Sequence, residues 1–101
     1  MKFRFLDAAL RELRATADHY RAIRPELGLR FREAVNHAFD RLHDWPLTGA
    51  LIGKAVRILR LKRFPYGLVY VPRPAEIVIV AVMHLHRRPG YWKRRLKDLG
   101  A

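Results

Sequence analysis

The sequence contains no cysteine and no serine among its 101 residues. Without cysteine the chain has no disulfide bonds, no thiolate metal ligands and no cysteine nucleophile, which is compatible with a reducing cytosol. Without serine it is not a serine hydrolase. Disulfide scaffolds, thiolate metal centres and covalent catalysis by serine or cysteine are therefore excluded by composition.

Long hydrophobic runs are also absent. The longest apolar segment, residues 77–83, has seven residues, whereas a membrane-spanning helix needs roughly 20. Lys2, Arg4 and Asp7 follow the first methionine without an apolar segment between them, which is unlike a signal peptide. We therefore expect a soluble, cytoplasmic protein with no membrane contact, folded as one domain over residues 1–101.

Acidic residues are scarce, and the positive charge is unevenly distributed. The chain has nine Asp and Glu against 21 Lys and Arg, a net charge of +12. Residues 1–53 carry nine basic and seven acidic residues, whereas residues 54–101 carry twelve and two, a net of +10. Such asymmetry indicates an anionic partner. Charge alone does not choose among nucleic acid, an acidic protein and an acidic membrane surface.

Two helices are predicted in the first half, because apolar residues recur at steps of three and four. The stripe of the first helix comprises Leu6, Leu10, Leu13, Ala17 and Tyr20. The stripe of the second comprises Phe31, Val35, Ala38, Leu42 and Trp45. Asp7 is placed to cap the first helix, and Pro25 to lie in the first turn of the second. The very short link predicts an antiparallel helical hairpin, with Leu10, Leu13, Phe31, Val35 and Leu42 in the core.

Strands are predicted on both sides of this hairpin. Residues 1–6 alternate apolar and basic side chains, which is typical of a strand at a sheet edge. A loop of about ten residues, marked by Pro46, Gly49 and Gly53, follows the helices. Residues 55–63, 66–71 and 76–83 are then predicted to be strands, and their short connections make them antiparallel.

The expected fold class is therefore α+β, in the order β-α-α-β-β-β. It has an N-terminal strand, a helical hairpin packed on one sheet face and a three-stranded antiparallel meander. The tail from residue 84 to residue 101 includes a turn at Pro89-Gly90. Residues 91–99 are expected to form a short helix.

Basic and aromatic residues near the end of the chain are the main candidates for binding. Arg57, Arg60, Lys62 and Arg63 lie on one predicted strand and its end, where guanidinium groups can bind phosphates or carboxylates. The alternative is a solvated strand face that protects a sheet edge. Arg87, Tyr91 and Trp92 combine charge with aromatic surface, and Trp92 can instead close the core.

His84 and His86 are separated by one residue, so they share one face of a strand. Two histidines can bind a metal or exchange protons. With no carboxylate or cysteine nearby in sequence, the pair is weak for a metal site, and we expect no metal and no cofactor. Glu12, Asp18, Glu26, Glu33 and Asp40 are assigned to polar helix faces.

These residues occur in an order that resembles a known family. Leu27-Gly28-x-x-Phe31 opens the second helix, Trp45-Pro46 follows it, and Val56-Arg57 precedes two longer motifs. The longer motifs are Arg63-Phe64-Pro65-Tyr66-Gly67-Leu68-Val69-Tyr70 and Val80-Ala81-Val82-Met83-His84-x-His86-Arg87-Arg88-Pro89-x-Tyr91-Trp92. Over residues 3–95 the pattern is similar to the ParE/RelE superfamily of type II toxin–antitoxin toxins.

The resemblance implies a growth-inhibiting toxin, of the kind found in plasmid-stabilisation modules, with a cognate antitoxin as its partner. RelE-like members cut mRNA on the ribosome, whereas ParE-like members act on DNA gyrase. The nucleases typically carry an arginine just before the Leu-Val-Tyr segment, where this chain has Gly67. Loss of that charge would weaken transition-state stabilisation, which favours the ParE-like, non-catalytic inhibitor.

Two alternatives stay open at this stage. The first is a ribosome-dependent mRNA endonuclease, in which Arg60, Arg63 and Arg87 would stabilise the phosphate and His84 or Tyr91 would transfer protons. The second is a non-toxic, basic nucleic-acid-binding module. For the toxin, we expect an antitoxin whose toxin-binding segment is acidic. The residues expected to contact a target or partner are Arg57, Arg60, Lys62, Arg63, His84, His86, Arg87, Tyr91 and Trp92.

Overall fold

A computed structural model describes residues 2–99 and shows two helices packed on one face of a mixed sheet. The helices are α1 (Asp7–Ile23) and α2 (Pro25–Asp44). The strands are β1 (Lys2–Phe5), β2 (Ala50–Gly53), β3 (Val56–Arg60), β4 (Tyr66–Pro72) and β5 (Glu76–His84). A 3₁₀ helix, Lys93–Leu99, ends the described chain. Met1, Gly100 and Ala101, which the predicted first strand and tail include, lie outside the described residues.

The α+β class and the helical hairpin are confirmed. Pro25 is the first residue of α2, as predicted, and only Arg24 separates the two helices. The predicted cap at Asp7 is wrong, because Leu6 is the N-cap residue and no side chain caps the helix. Asp7 lies in the first turn instead, where its negative charge is favourable near the helix N-terminus.

The sheet contains one strand more than the sequence predicts. Its order is β1-β5-β4-β3-β2, with β1 parallel to β5 and the other pairs antiparallel. The first strand therefore lies at an edge, as predicted. The additional strand, β2, occupies the other edge and lies in the segment predicted to be a loop. All four of its residues are exposed, so it has no alternation that would reveal it in the sequence.

The main core lies between the helices and the sheet. Phe31, Val35 and Leu42 of α2 are buried there, as predicted, against side chains from β3, β4 and β5. Trp45 is not part of it, since its side chain is 72% exposed just beyond α2. Leu10 is only half-buried and belongs to neither buried cluster.

In α1 the fully buried residues are small. Ala9 and Thr16 are the buried positions of the helix, while Leu13, Ala17 and Tyr20 are partly buried beside them. Small side chains allow the helix axis to approach the sheet closely. The predicted stripe of large residues therefore flanks the contact with the sheet instead of forming its centre.

A second apolar cluster covers part of the opposite sheet face. Trp92 is 3% exposed and packs with Val56, Val69, Val78 and Val80. Tyr91, Leu96 and Leu99 lie partly buried at its margin. The helical character predicted for residues 91–99 is confirmed as a 3₁₀ helix. Trp92 packs on the sheet face that the helices leave open.

The hydroxyl group of Tyr70 holds the loop between α2 and β2 through two hydrogen bonds. The Tyr70 hydroxyl donates a hydrogen bond to the carbonyl oxygen of Pro46 (2.8 Å) and accepts one from the amide of Gly49 (2.9 Å). A Cβ on Gly49 would lie 2.7 Å from both the Ile58 carbonyl oxygen and the Tyr70 hydroxyl. Glycine is therefore required for this close approach.

We expect Tyr70→Phe to lower the free energy of unfolding by about 1–3 kcal/mol, because it leaves a buried amide without its acceptor. Urea denaturation would measure the loss. Tyr66→Phe is the matched control, since within residues 2–99 no hydrogen bond of the Tyr66 hydroxyl is found. Equal stability of the Tyr70→Phe and Tyr66→Phe variants would contradict this role of the hydroxyl.

Candidate binding surfaces

The residues predicted to bind a target or partner lie on several different surfaces. Lys62 and Arg63 lie beside α2, His84 and His86 lie at the end of β5, and Arg87 and Tyr91 lie beside α1. Arg60 lies on the opposite face of the sheet. The structure therefore does not bring the predicted set together into one site.

Glu12 is the centre of a network that joins α1 to the C-terminal segment. Its carboxylate accepts hydrogen bonds from Arg95 (2.7 and 2.9 Å), from the Tyr91 hydroxyl (2.8 Å) and from the amide of Val82 (3.1 Å). The Arg87 guanidinium lies 3.7 Å from the same carboxylate and 3.8 Å from the centre of the Tyr91 ring. We call Glu12, Arg87, Tyr91 and Arg95 the tail network.

The tail network shifts the pKa values of Glu12 and Tyr91. Burial alone would raise the pKa of Glu12, but hydrogen bonds from Arg95, Tyr91 and the Val82 amide outweigh it and lower that pKa. Burial raises the pKa of Tyr91 well above its ordinary value, and the hydrogen bond to Glu12 raises it further. Tyr91 therefore stays protonated and is a poor proton acceptor near neutral pH.

The tail network also supplies hydrogen-bond partners to the backbone of β5 where strand β1 no longer pairs with it. Strand β1 pairs with β5 only as far as Ile79. Beyond that point the Val82 amide is bound by Glu12, and the Val80 carbonyl oxygen accepts a hydrogen bond from Arg95 (3.0 Å). Side chains thus replace the missing strand, because backbone polar groups away from water need partners.

His84 and His86 form an aromatic cluster with Tyr66 at the end of β5. The His84 ring lies 5.0 Å from the Tyr66 ring and 5.3 Å from the His86 ring, between centroids. The Nδ1 atom of His84 accepts a hydrogen bond from the backbone amide of His86 (3.1 Å). Among residues 2–99, no group of three His, Cys, Asp or Glu side chains is placed to hold a metal ion.

An open cleft of about 340 Å³ lies between α2 and the β3–β4 loop. We call it the helix-side cleft. Its floor is apolar, its rim carries several cationic groups and one acid, and its lining residues are Leu27, Arg30, Glu33, Ala34, His37, Lys62, Arg63 and Phe64. Arg63 has φ 68°, a left-handed conformation that is uncommon for residues other than glycine.

A second groove of about 270 Å³ lies on the sheet face opposite the helices. We call it the back groove. It is mostly apolar with two cations, and its lining residues are Ile52, Ile58, Arg60, Met83, Leu85, Pro89, Gly90, Trp92 and Lys93. Arg60 is therefore separated from Lys62 and Arg63 by the thickness of the sheet.

Two of the predicted contact residues have a role in the fold. The Arg57 guanidinium donates hydrogen bonds to the carbonyl oxygens of Leu47 (3.0 Å) and Gly49 (2.7 Å), so it holds the loop before β2. Trp92 is buried and is not an exposed anchor. The sequence did not reveal these two roles, because strand alternation alone does not show which face of the sheet is covered.

Glu12 is the functional candidate that the sequence analysis missed. It was assigned to a polar helix face, but its side chain is only 16% exposed. Its position three residues after Ala9 and four before Thr16 places it on the buried face of α1. Glu12 lies on the helix face defined by the small residues Ala9 and Thr16. The sequence analysis took the large apolar residues to mark the buried face, so it did not identify Glu12.

Comparison with known proteins decides the family. The model of the family described as ParE toxin of type II toxin–antitoxin system, parDE, matches residues 3–89. The chain belongs to the ParE toxin family. The resemblance seen in the sequence is thereby confirmed, and Tyr91, Trp92 and Arg95 lie beyond the matched residues.

A solved structure agrees with this assignment. The chain is similar to a structure described as the chromosomal ParDE TA system from P. aeruginosa, at 25% identity and a TM-score of 0.69. The similarity covers 83% of this chain and 95% of that one. Comparison with curated protein sequences finds no significant match. None of the helices described for this chain is both long and apolar enough to cross a membrane.

Proposed function

We propose that this ParE-family toxin arrests growth by binding DNA gyrase without cutting RNA, and that a cognate antitoxin neutralises it. Membership of the ParE family supports a toxin–antitoxin role. The gyrase target follows from the ParE-like branch that the sequence favours. Gyrase acts in the cytoplasm, so the proposal also implies that the chain acts there.

The observation that carries the proposal is the environment of Gly67. Nucleases of the superfamily typically have an arginine at this position. Here Gly67 is buried, and a Cβ on it would lie 2.8 Å from the Ile58 side chain and 3.4 Å from Leu85. The site therefore has no room for the missing arginine unless Ile58 moves.

The other side chains that a nuclease would use do not converge on a position where a single phosphate could bind. Arg60 lies in the back groove and Arg63 in the helix-side cleft. The Tyr91 hydroxyl is occupied by Glu12. General acid–base catalysis needs the proton donor and acceptor within hydrogen-bond reach of the reacting atoms, and this arrangement does not favour it.

The proposal assigns target contact to exposed basic residues beside α2 and at the end of β5. Lys62, Arg63, His86 and Arg87 are all exposed. Cationic surfaces speed encounter with an anionic complex such as gyrase on DNA, and the effect weakens as salt rises. Contact with gyrase should accordingly be sensitive to ionic strength.

Two assays on the purified chain test the proposed function. We expect it to inhibit DNA supercoiling by gyrase and to leave mRNA intact on translating ribosomes. The double substitution Lys62→Glu/Arg63→Glu should raise the concentration for half-inhibition by about tenfold, which corresponds to about 1.4 kcal/mol of binding free energy. Arg14→Glu, an exposed site on α1, is the control for charge reversal.

Three results would contradict the proposal. Cleavage of ribosome-bound mRNA with unaffected supercoiling would make the chain a RelE-like endonuclease. Binding to free DNA or RNA without growth arrest would make it a nucleic-acid-binding module. Growth arrest that the protein encoded beside this chain fails to relieve would exclude neutralisation by that protein.

A further inference from the structure

The segment from the end of α2 through β2 exposes apolar side chains on a chain that is otherwise strongly cationic. Among residues 2–99 six large apolar side chains are exposed, and four of them lie in this segment: Trp45, Leu47, Leu51 and Ile52. Residues 45–53 contain no charged side chain, although the whole chain carries a net charge of +12. We call residues 45–53 the neutral edge. Clustered, exposed apolar side chains are typical of interaction surfaces.

Two side chains from the sheet hold the loop part of the neutral edge in place. The Tyr70 hydroxyl binds the Pro46 carbonyl oxygen and the Gly49 amide. The Arg57 guanidinium donates hydrogen bonds to the carbonyl oxygens of Leu47 and Gly49. The exposed apolar side chains are therefore carried by an ordered backbone, so that binding there costs less conformational entropy than ordering a flexible loop would.

The two edge strands of the sheet differ in how they are protected against pairing with another strand. In β1, Lys2 and Arg4 alternate with apolar side chains, and Arg4 forms an ion pair with Glu76. In the described sheet β2 pairs only with β3, and all four of its residues are exposed. It contains no proline and no charged residue, two common features that block an exposed edge. The backbone of β2 on the side away from β3 is therefore open to a further strand.

A second copy of this chain fits the neutral edge better than a charged partner does. Nucleic acid or an acidic protein segment needs cations to pair with, and residues 45–53 contain none. The nearby Arg57 is engaged by backbone carbonyl oxygens of the loop. A two-fold symmetric interface requires a surface that is complementary to itself. A neutral apolar surface meets this requirement, whereas a cationic surface repels its own copy.

We propose that two copies of the chain associate by antiparallel pairing of β2 with β2 of the second copy. A two-fold axis perpendicular to the sheet relates the copies, so paired residues lie on the same face of the sheet. The pairing is centred on Leu51, which lies opposite Leu51 of the second copy, while Ala50 lies opposite its Ile52. This register leaves out Gly53, which follows the irregularity in the pairing of β2 with β3.

The dimer is expected to be weak and to strengthen with salt. One short strand from each copy makes a smaller interface than the roughly 800 Å² per partner of a standard stable complex, and we expect a dissociation constant of about 10–100 μM. The chain is then largely monomeric in dilute solution. Two copies with a net charge of +12 each repel one another, and salt screens this repulsion without weakening the apolar contact. Contacts with an anionic target or an acidic antitoxin should have the opposite salt dependence.

Leu51→Lys tests the pairing, because it places two positive charges opposite one another across the two-fold axis. We expect it to weaken self-association by about tenfold or more. Leu29→Lys is the matched control, since Leu29 is 58% exposed against 61% for Leu51 but lies on α2, outside the neutral edge. It should change self-association by less than about threefold. Sedimentation equilibrium in about 0.1 M and about 0.5 M sodium chloride measures both variants and the wild type, after thermal unfolding has shown that each is folded.

The absence of cysteine from the chain allows a second test, of the register. The Cβ atoms of directly opposite residues in paired strands lie about 4.5–5.5 Å apart, close to the separation of about 3.5–4.5 Å in a disulfide. Leu51→Cys should therefore form a disulfide-linked dimer under mild oxidation, whereas Leu29→Cys should form little. Non-reducing gel electrophoresis measures the fraction that is linked.

A wild-type chain that stays monomeric up to millimolar concentration at both salt concentrations would overturn the proposal. Equal weakening by Leu51→Lys and Leu29→Lys would also overturn it, as would equal cross-linking of the two cysteine variants. A dimer that dissociates as salt rises would indicate a charge-driven contact elsewhere on the chain and would overturn it too. Self-association is measured on the chain alone, so the outcome is independent of whether the chain inhibits gyrase.

Discussion

Replacing Trp92 by alanine is expected to lower the free energy of unfolding by about 3–5 kcal/mol, the usual cost of removing a large buried aromatic side chain. Trp92 lies in the second apolar cluster, between the C-terminal segment and the open face of the sheet. Folded proteins of this size have total stabilities of about 5–15 kcal/mol. The substitution should therefore remove a large part of the stability.

Trp45 is the matched control for this prediction, because it is the other tryptophan of the chain. It is 72% exposed beyond the end of α2. Trp45→Ala should change stability by less than about 0.5 kcal/mol, as is usual for exposed sites. Denaturant unfolding of both variants measures the difference. Similar losses for the two tryptophans would contradict the packing of Trp92 on the sheet.

The elements with a regular apolar pattern could be predicted from the sequence. The helices repeat apolar residues every three to four positions, and β4 and β5 are rich in β-branched residues. Pro25 marks the start of α2. Each of these signals is local, since it depends on residues within one or two turns or within one strand.

Strand β2 and the packing of the C-terminal segment could not be predicted, because both depend on contacts between segments that are distant in the sequence. Strand β2 is recognisable only because Ala50 and Leu51 pair with Ile58 and Arg57 of β3. The short tail motif Tyr91-Trp92 has no periodicity that tells which face of the sheet receives it. Tertiary packing decides which face of the sheet is covered, and a register shift of one residue moves every side chain of a strand to the opposite face.

The candidate site illustrates the same difference. Lys62 and Arg63 of the helix-side cleft could be named as candidates because clustered charge is visible in the sequence. Glu12 could not, since Val82, Tyr91 and Arg95 lie at least 70 positions away in the chain. A carboxylate on the buried face of α1 requires hydrogen-bond partners, but the sequence does not show which residues provide them.

Glu12→Gln is expected to destabilise the chain by about 2–3 kcal/mol at neutral pH. The side chains of Glu12 and Arg95 are each less than one-fifth exposed, and loss of one partner leaves the other charge partly buried. A fully buried pair would cost about 3–5 kcal/mol, so the residual exposure lowers the expected value. Glu26→Gln, at a well-exposed ion pair with Arg24, should cost under about 1 kcal/mol.

The pH dependence follows from the lowered pKa of Glu12. A carboxylate whose pKa is lower in the folded state stabilises the fold fully above its ordinary pKa of 4.5. That contribution is lost as the pH falls through the folded-state pKa. The stability difference between wild type and Glu12→Gln should therefore be constant near neutral pH and shrink as the pH falls below 4.5. A difference that grows on acidification would contradict the ion pair.

Fluorescence separates loss of the tail network from general loss of stability. In a Trp45→Phe background Trp92 is the remaining tryptophan, and its burial predicts a blue-shifted emission. If Glu12 holds the C-terminal segment on the sheet, Glu12→Gln should shift this emission to the red in native buffer, before global unfolding. Local release of this kind costs less free energy than global unfolding. Unchanged Trp92 emission together with lower stability would mean that Glu12 stabilises α1 and β5 but does not hold the tail.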